Sequence, residues 1–102
     1  MLELQELAKK LKALAHPLRL KIINLLAREG EHMYLSEIAR DLGINRALAK
    51  VHLKKLQSAD MVKSRVILVE GEARALRYYE LQDFDIHISP KLLKEEVENN
   101  EL

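Results

Sequence analysis

LSEIARDLGINRALAKVHLKKLQSADM, Leu35–Met61, is the stretch whose reading decides the fold. It reads as two helices joined by a tight turn. Ser36 is a candidate N-cap for the first, and Glu37 suits the positive end of that helix dipole. Ile38, Ala39 and Leu42 fall on one face. Gly43 sits where a helix commonly ends, because glycine takes positive φ without steric cost. Ile44 is apolar and fills the corner, and Asn45 is a good N-cap for the second helix. That helix, residues 45–58, carries Ala49, Leu53 and Leu56 at i, i+4 and i+7, a narrow inward stripe. Its other faces carry Arg46, Lys50, Lys54 and Lys55, and no acidic residue occurs from Arg46 to Gln57. A short helix, a glycine turn and a basic second helix make a helix-turn-helix pattern. An ordinary helical hairpin with a solvated lysine face carries the same pattern, so on these residues alone both readings stand.

The chain of 102 residues is the size of one domain with one core, and residues 1–102 are read as that domain. Its formal net charge is +1, so the whole-molecule field argues neither for nor against a nucleic acid partner. Distribution says more. Basic residues gather in Arg46–Lys55, while Glu95 to Glu101 is acidic. The chain has no cysteine, which removes disulfides, thiolate metal sites and a cysteine nucleophile. No apolar run approaches the ~20 residues of a membrane span, and the amphipathic opening MLELQELAKK is unlike a signal sequence. A cytoplasmic protein is the simplest expectation. Abundant Lys and Glu without Cys or Trp fit a thermophile.

Working outward, Leu4, Leu7, Leu11 and Leu14 recur at helical spacing and predict an amphipathic helix over residues 2–15. His16-Pro17 interrupts it, since the residue before proline is pushed out of helical geometry while Pro17 suits a first helical position. A second helix is predicted from Pro17 to about Glu29, with Leu18, Ile22, Leu25 and Leu26 inward, Ile23 widening that face and Gly30 as its stop. Glu31–Tyr34 reads as a connector. After Met61 the period becomes extended. Val62–Val69 is rich in β-branched residues, Ala73–Leu81 contains Tyr78 and Tyr79, and Glu70-Gly71-Glu72 between them is a turn signal. The result is a two-stranded β-hairpin, a wing in the language of this architecture, from which Arg65, Arg74 and Arg77 are placed to reach a phosphate backbone. Glu70 and Glu72 near its tip oppose that use. Ser89-Pro90 begins a last helix as N-cap and first residue, with Leu92, Leu93 and Val97 as its stripe.

The run KALAHPLRLKIINLLA, Lys12–Ala27, followed by LSEIARDLGINRALAKVHLKKLQSADMV, resembles the ArsR-type winged helix-turn-helix regulators. Three features carry the resemblance, which covers roughly Leu4 to Leu81. They are Ala15-His16-Pro17-Leu18-Arg19, the spacing Ile38-Ala39…Leu42-Gly43-Ile44, and His52-Leu53…Leu56 before the wing. It implies a mainly α fold with a β-hairpin wing (α+β), and a homodimer built by the first and last helices, residues 1–15 and 89–102. It also implies that the two basic helices enter successive major grooves of double-stranded DNA. Leftover leucine stripes at the two ends of a small chain argue for the same association on physical grounds.

Several departures bear on the partner. ArsR-type repressors often carry a cysteine pair in the first helix of the motif, and Leu35–Leu42 has none, which excludes thiolate sensing of arsenite or cadmium. A zinc-sensing subset uses Asp-x-His and later ligands on the last helix. The matching positions here are Asp85, His87, Glu98 and Glu101. Glutamates at the later positions favour harder cations than zinc, and Pro90 places Asp85 and His87 ahead of the helix, so no metal and no cofactor is the reading adopted. The family's recognition helix often has serines where this chain has Ala47 and Lys50, so base contacts do not carry over.

On this reading Arg46, Ala47 and Lys50 face base edges, Lys54 and Lys55 meet phosphates, and Val51 either touches a thymine methyl or is partly buried. His52, one residue before Leu53, is read as structural and hydrogen-bonded. His16 and His32 are read as structural or solvent-exposed. The alternatives are a winged-helix module for protein contact or architectural DNA binding, and an enzyme. Nothing resembles a nucleophile, a phosphate loop or a catalytic cluster, and Ser36, Ser58, Ser64 and Ser89 suit caps and turns. No effector follows from the sequence.

Overall fold

The computed structural model describes residues 3–68, 70–71 and 76–100, with side chains as far as residue 95. Four helices come first, interrupted by one short strand: α1 (Leu4–Leu14), α2 (Pro17–Arg28), β1 (His32–Tyr34), α3 (Leu35–Leu42) and α4 (Arg46–Ser58). Strands β2 (Val62–Ile67) and β3 (Leu76–Leu81) and helix α5 (Pro90–Asn100) follow.

Each boundary has a local cause. His16 is extended, its Nδ1 accepts from the Leu18 backbone N–H, and Pro17 supplies the first helical residue of α2. Gly43 ends α3 in the left-handed region at φ +66°, and Ile44 N–H returns to the Ala39 carbonyl. Asn45 caps α4, its side-chain oxygen accepting from Leu48 N–H at 2.7 Å. Ser89 caps α5 in the same way through Leu92 N–H. One cap differs from the sequence expectation. Ser36 is not the N-cap of α3, because the helix begins two residues earlier, at Leu35, with Tyr34 in the extended cap position. Tyr34 N–H donates to the Glu37 carboxylate at 2.9 Å, which holds that first turn and leaves the Ser36 hydroxyl without a capping role.

The larger correction concerns Glu31–Tyr34. It is not a plain connector: the expected pair of wing strands, β2 and β3, is joined by a third. His32–Tyr34 forms β1, which pairs antiparallel with β3, giving a three-stranded sheet in the order β1-β3-β2. Leu81 N–H adds a bond to the Glu31 carbonyl. The expected strand residues Val69 and Ala73 lie outside the described residues.

The core lies where α2, α3, α4 and the inner face of the sheet meet. Ile22 and Leu26 of α2, Ile38 of α3, Leu53 and Leu56 of α4, and Met61 and Val62 at the start of β2 are fully buried. Burying such side chains contributes roughly 1.5–3 kcal/mol each. Helix α1 lies along α2 and α4, with only Ala13 fully inside. Its leucines, and Leu92 and Leu93 of α5, stay half-exposed. No helix among the described residues is long and apolar enough to cross a membrane.

Candidate nucleic-acid interface

The underside of α4 fixes what its upper side presents. Ala49, His52, Leu53 and Leu56 recur at i, i+3, i+4 and i+7 and are all buried. Since 3.6 residues make a turn, the opposite face must carry Ala47, Val51 and Lys54, with Arg46 and Lys50 on one flank and Lys55 on the other. All six are exposed. Val51 is 52% exposed, so of its two sequence readings the structure supports the open one. An apolar side chain held out between lysines is suited to a methyl group on the surface it meets.

Lys50 and Lys54 do more than line a helix. With Gln57 and Ser58 of α4, Ser64 of β2, and Arg77 and Tyr79 of β3 they enclose an open cleft of about 430 Å³ between helix and sheet. Three cations share it and no carboxylate lines it. Burial pushes the Tyr79 phenol above its ordinary value, with the Arg77 charge acting the other way, so the ring enters the cleft as a neutral hydroxyl. A concave, cationic site with hydroxyl and amide donors is what one oxygen-rich anion requires.

The sheet separates two of the three arginines expected on the wing. Arg77 shares the inner face with Tyr79 and joins the α4 cations. Arg65 pairs across from Tyr78 on the opposite face, with its guanidinium 5.1 Å from that ring's centroid. Tyr78 is also stacked on His32 and met edge-on by Tyr34. Arg65 is thus occupied by an aromatic cluster rather than aligned with α4. Arg74 lies outside the described residues.

Asp85 and His87 come ahead of α5, as Pro90 implied. His87 Nε2 and an Asp85 carboxylate oxygen are 3.0 Å apart, with both side chains more than three-quarters exposed. The side chain of Glu98, and Glu101, lie outside the described residues. Among those described, no three His, Cys, Asp or Glu side chains gather where they would hold a metal ion.

Arg19, which the sequence offers only as part of the family resemblance, has a structural role that sequence reasoning does not supply. It is buried, at 8% exposure. Its Nε donates to the Ala13 carbonyl at 2.6 Å, Nη2 reaches the Lys12 carbonyl at 3.4 Å, and Nη1 lies 3.0 Å from His52 Nδ1. An arginine only donates, so Nδ1 accepts and the His52 ring is neutral with its proton on Nε2. The His16 ring lies against it, centroids 4.4 Å apart. Burial first, then the His16, Arg19 and Lys55 charges, hold His52 below the usual histidine value. The hydrogen-bonded, structural reading of His52 is therefore the one the geometry supports. Each partner sits at a stripe position, Arg19 three residues before Ile22 and His52 three after Ala49. Two polar residues on two facing apolar stripes were the available signal.

Comparison with known proteins places this geometry among regulators. The profile of the family described as bacterial regulatory protein, arsR family, matches residues 16–64. An uncharacterised HTH-type transcriptional regulator of Methanocaldococcus jannaschii is 35% identical over 98 residues, covering 96% of this chain and 99% of its own. Among solved structures, the homodimeric winged helix-turn-helix DNA-binding domain of a possible ArsR-family regulator from Mycobacterium bovis is 33% identical. That match has a TM-score of 0.64 and covers 76% of this chain and 65% of that one. NolR from Sinorhizobium fredii is 26% identical with a TM-score of 0.59, covering 95% of this chain and 83% of its own.

Proposed function

Because this chain belongs to the arsR family of regulatory proteins, we propose that it is a transcriptional regulator that binds double-stranded DNA as a homodimer, with α4 in the major groove. One observation carries the reading. The acid-free outer face of α4 is open along its length while its underside is fully committed to the core. In the dimer, two such helices lie about one helical turn of DNA apart, ~34 Å.

The residues divide by position. Ala47 and Val51 point most directly outward, and Arg46 in the first turn is the guanine-reading candidate, since bidentate Arg to guanine is the commonest specific contact. Lys54 and Lys55 meet phosphates. The cleft between α4 and the sheet favours a backbone phosphate held by Lys50, Lys54 and Arg77, which moves Lys50 from base reading to positioning.

Salt dependence tests this. Log K for duplex binding should fall with log salt by about 0.9 per phosphate neutralised. Lys54→Ala should lower that slope and weaken all duplexes alike. Arg46→Ala should keep the slope and relax discrimination at one base position, by about 1–3 kcal/mol. Selection from a random duplex library identifies that position. Binding that ignores salt, or no binding at all, would end the DNA reading.

A further inference from the structure

We propose that Arg19 is a positioning residue for α4: through His52 it ties the middle of that helix to the end of α1, so that duplex affinity depends on the His52 ring staying neutral. The proposal rests on the DNA-binding reading, though one of its tests does not.

The geometry is a bridge with three feet. Arg19 sits on the inward face of α2. Its Nε takes the carbonyl of Ala13 at the end of α1, its Nη2 reaches the Lys12 carbonyl, which also accepts from the C-cap Ala15 N–H, and its Nη1 takes His52 Nδ1. A planar, always-charged fork can serve both ends at once, whereas a lysine ammonium would serve one. A second tie runs parallel to it. Lys10 Nζ of α1 donates to the Ala59 carbonyl at the C-cap of α4, at 2.8 Å. Two cations thus hold α4 against α1 at its middle and at its end. If α1 meets its counterpart in a dimer, these ties decide how the outer face of α4 is aimed.

The joint at His52 is conditional. Proton uptake at Nδ1 would replace its acceptor lone pair with a second donor 3.0 Å from a guanidinium. The other charged or titratable groups acting on the ring are His16 from α2 and Lys55 from α4 itself. The contribution of α1 at this point is the pair of carbonyls already taken by Arg19. Neither the Arg19 guanidinium nor the Lys55 ammonium would welcome an imidazolium, and the two carbonyls are already occupied, so acid would open the joint and let α4 shift on its core.

The experiment compares the unaltered chain with Arg19→Met and His52→Gln, measuring duplex affinity by fluorescence anisotropy from pH 8 to pH 5.5. The glutamine oxygen can accept from Arg19 but does not titrate. The unaltered chain should lose affinity as the pH falls, His52→Gln should match it at pH 8 and lose that fall, and Arg19→Met should bind about tenfold more weakly at pH 8. An acid loss unchanged in His52→Gln, or folded Arg19→Met binding like the unaltered chain, would overturn the proposal. Nitrogen-15 NMR of the unaltered chain decides it without DNA. The expected result is Nε2 protonated and Nδ1 bare at pH 7, with proton uptake below pH 6.5 moving the backbone signals of α4 and the end of α1 together. A ring that takes up its proton at pH 6.5 or above, or does so without moving those signals, also overturns it. Should the unaltered chain bind no duplex at pH 8, the DNA reading falls alone and the NMR measurement still judges the tie.

Discussion

His52 shows how one residue's surroundings set a property of the whole fold. Its folded form resists protonation, while in the unfolded chain it titrates near 6.5. The unfolded state therefore binds more protons wherever the pH lies between the folded value and 6.5, and stability rises with pH across that window. The histidine contribution should be complete above about pH 6.5 and be lost as the pH falls below it. Urea midpoints from pH 8 to pH 5 would measure this, and His52→Gln should flatten the histidine part of the curve. At this scale the sequence was only partly legible. The hydrophobic stripes name Ile22, Leu26, Leu53 and Leu56 correctly, because burial of apolar side chains is a period that can be counted. The role of Arg19 was missed because it lies between α2 and α4, 33 residues apart in the chain, and no local period encodes a bridge between two stripes.

Among elements, α4 was legible from end to end, since its cap, its stripe and its basic faces are all local. Strand β1 was not. Three residues carry no alternation that can be recognised, and their partner, β3, begins more than forty positions later. Gly30, at φ +84°, and Glu31, at φ +73°, turn the chain into that strand, but in the sequence the glycine reads only as the stop of the helix before it. The candidate site follows the same division: the cations of α4 can be read off the sequence, but their grouping with Arg77 and separation from Arg65 depend on sheet register. The turn between α3 and α4 gives a prediction at this scale. Gly43 holds φ +66°, and a Cβ built there would meet nothing within 4 Å, so the cost of a side chain is conformational alone. Gly43→Ala should destabilise by about 1–2 kcal/mol, while Gly43→Asn should cost less, because asparagine visits the left-handed region more readily. Chemical denaturation of the pair separates backbone strain from crowding. Equal losses would mean that the turn rearranges instead of straining.

For the molecule as a whole, shape points to what is missing from a single chain. The radius of gyration is 16.3 Å and the longest extent 57 Å, where a compact chain of this length has a radius of about 13 Å. The excess arises because α5 shares none of the main interfaces of the fold, which leaves Leu92 and Leu93 half-exposed at one end. On α1, Leu14 packs against the core, whereas Leu4, Leu7 and Leu11 rise along a stripe that α2 and α4 only partly cover. An apolar stripe on each end helix of a small domain is a cost in water that a second copy would remove, since a two-fold contact buries the same patch twice. The chain should therefore sediment as a dimer at micromolar concentration. Leu7→Glu, which places a charge in that stripe without touching a fully buried residue, should give a folded monomer with an unchanged helical spectrum. That monomer reaches one half-site in place of two. Its duplex affinity should drop sharply and its salt slope roughly halve, because the number of phosphates neutralised halves with it. A Leu7→Glu chain that still sediments as a dimer would remove α1 from the interface. An unaltered chain that is monomeric at tens of micromolar would leave the exposed end helices without this explanation, and the pairing of two α4 helices on DNA without its support.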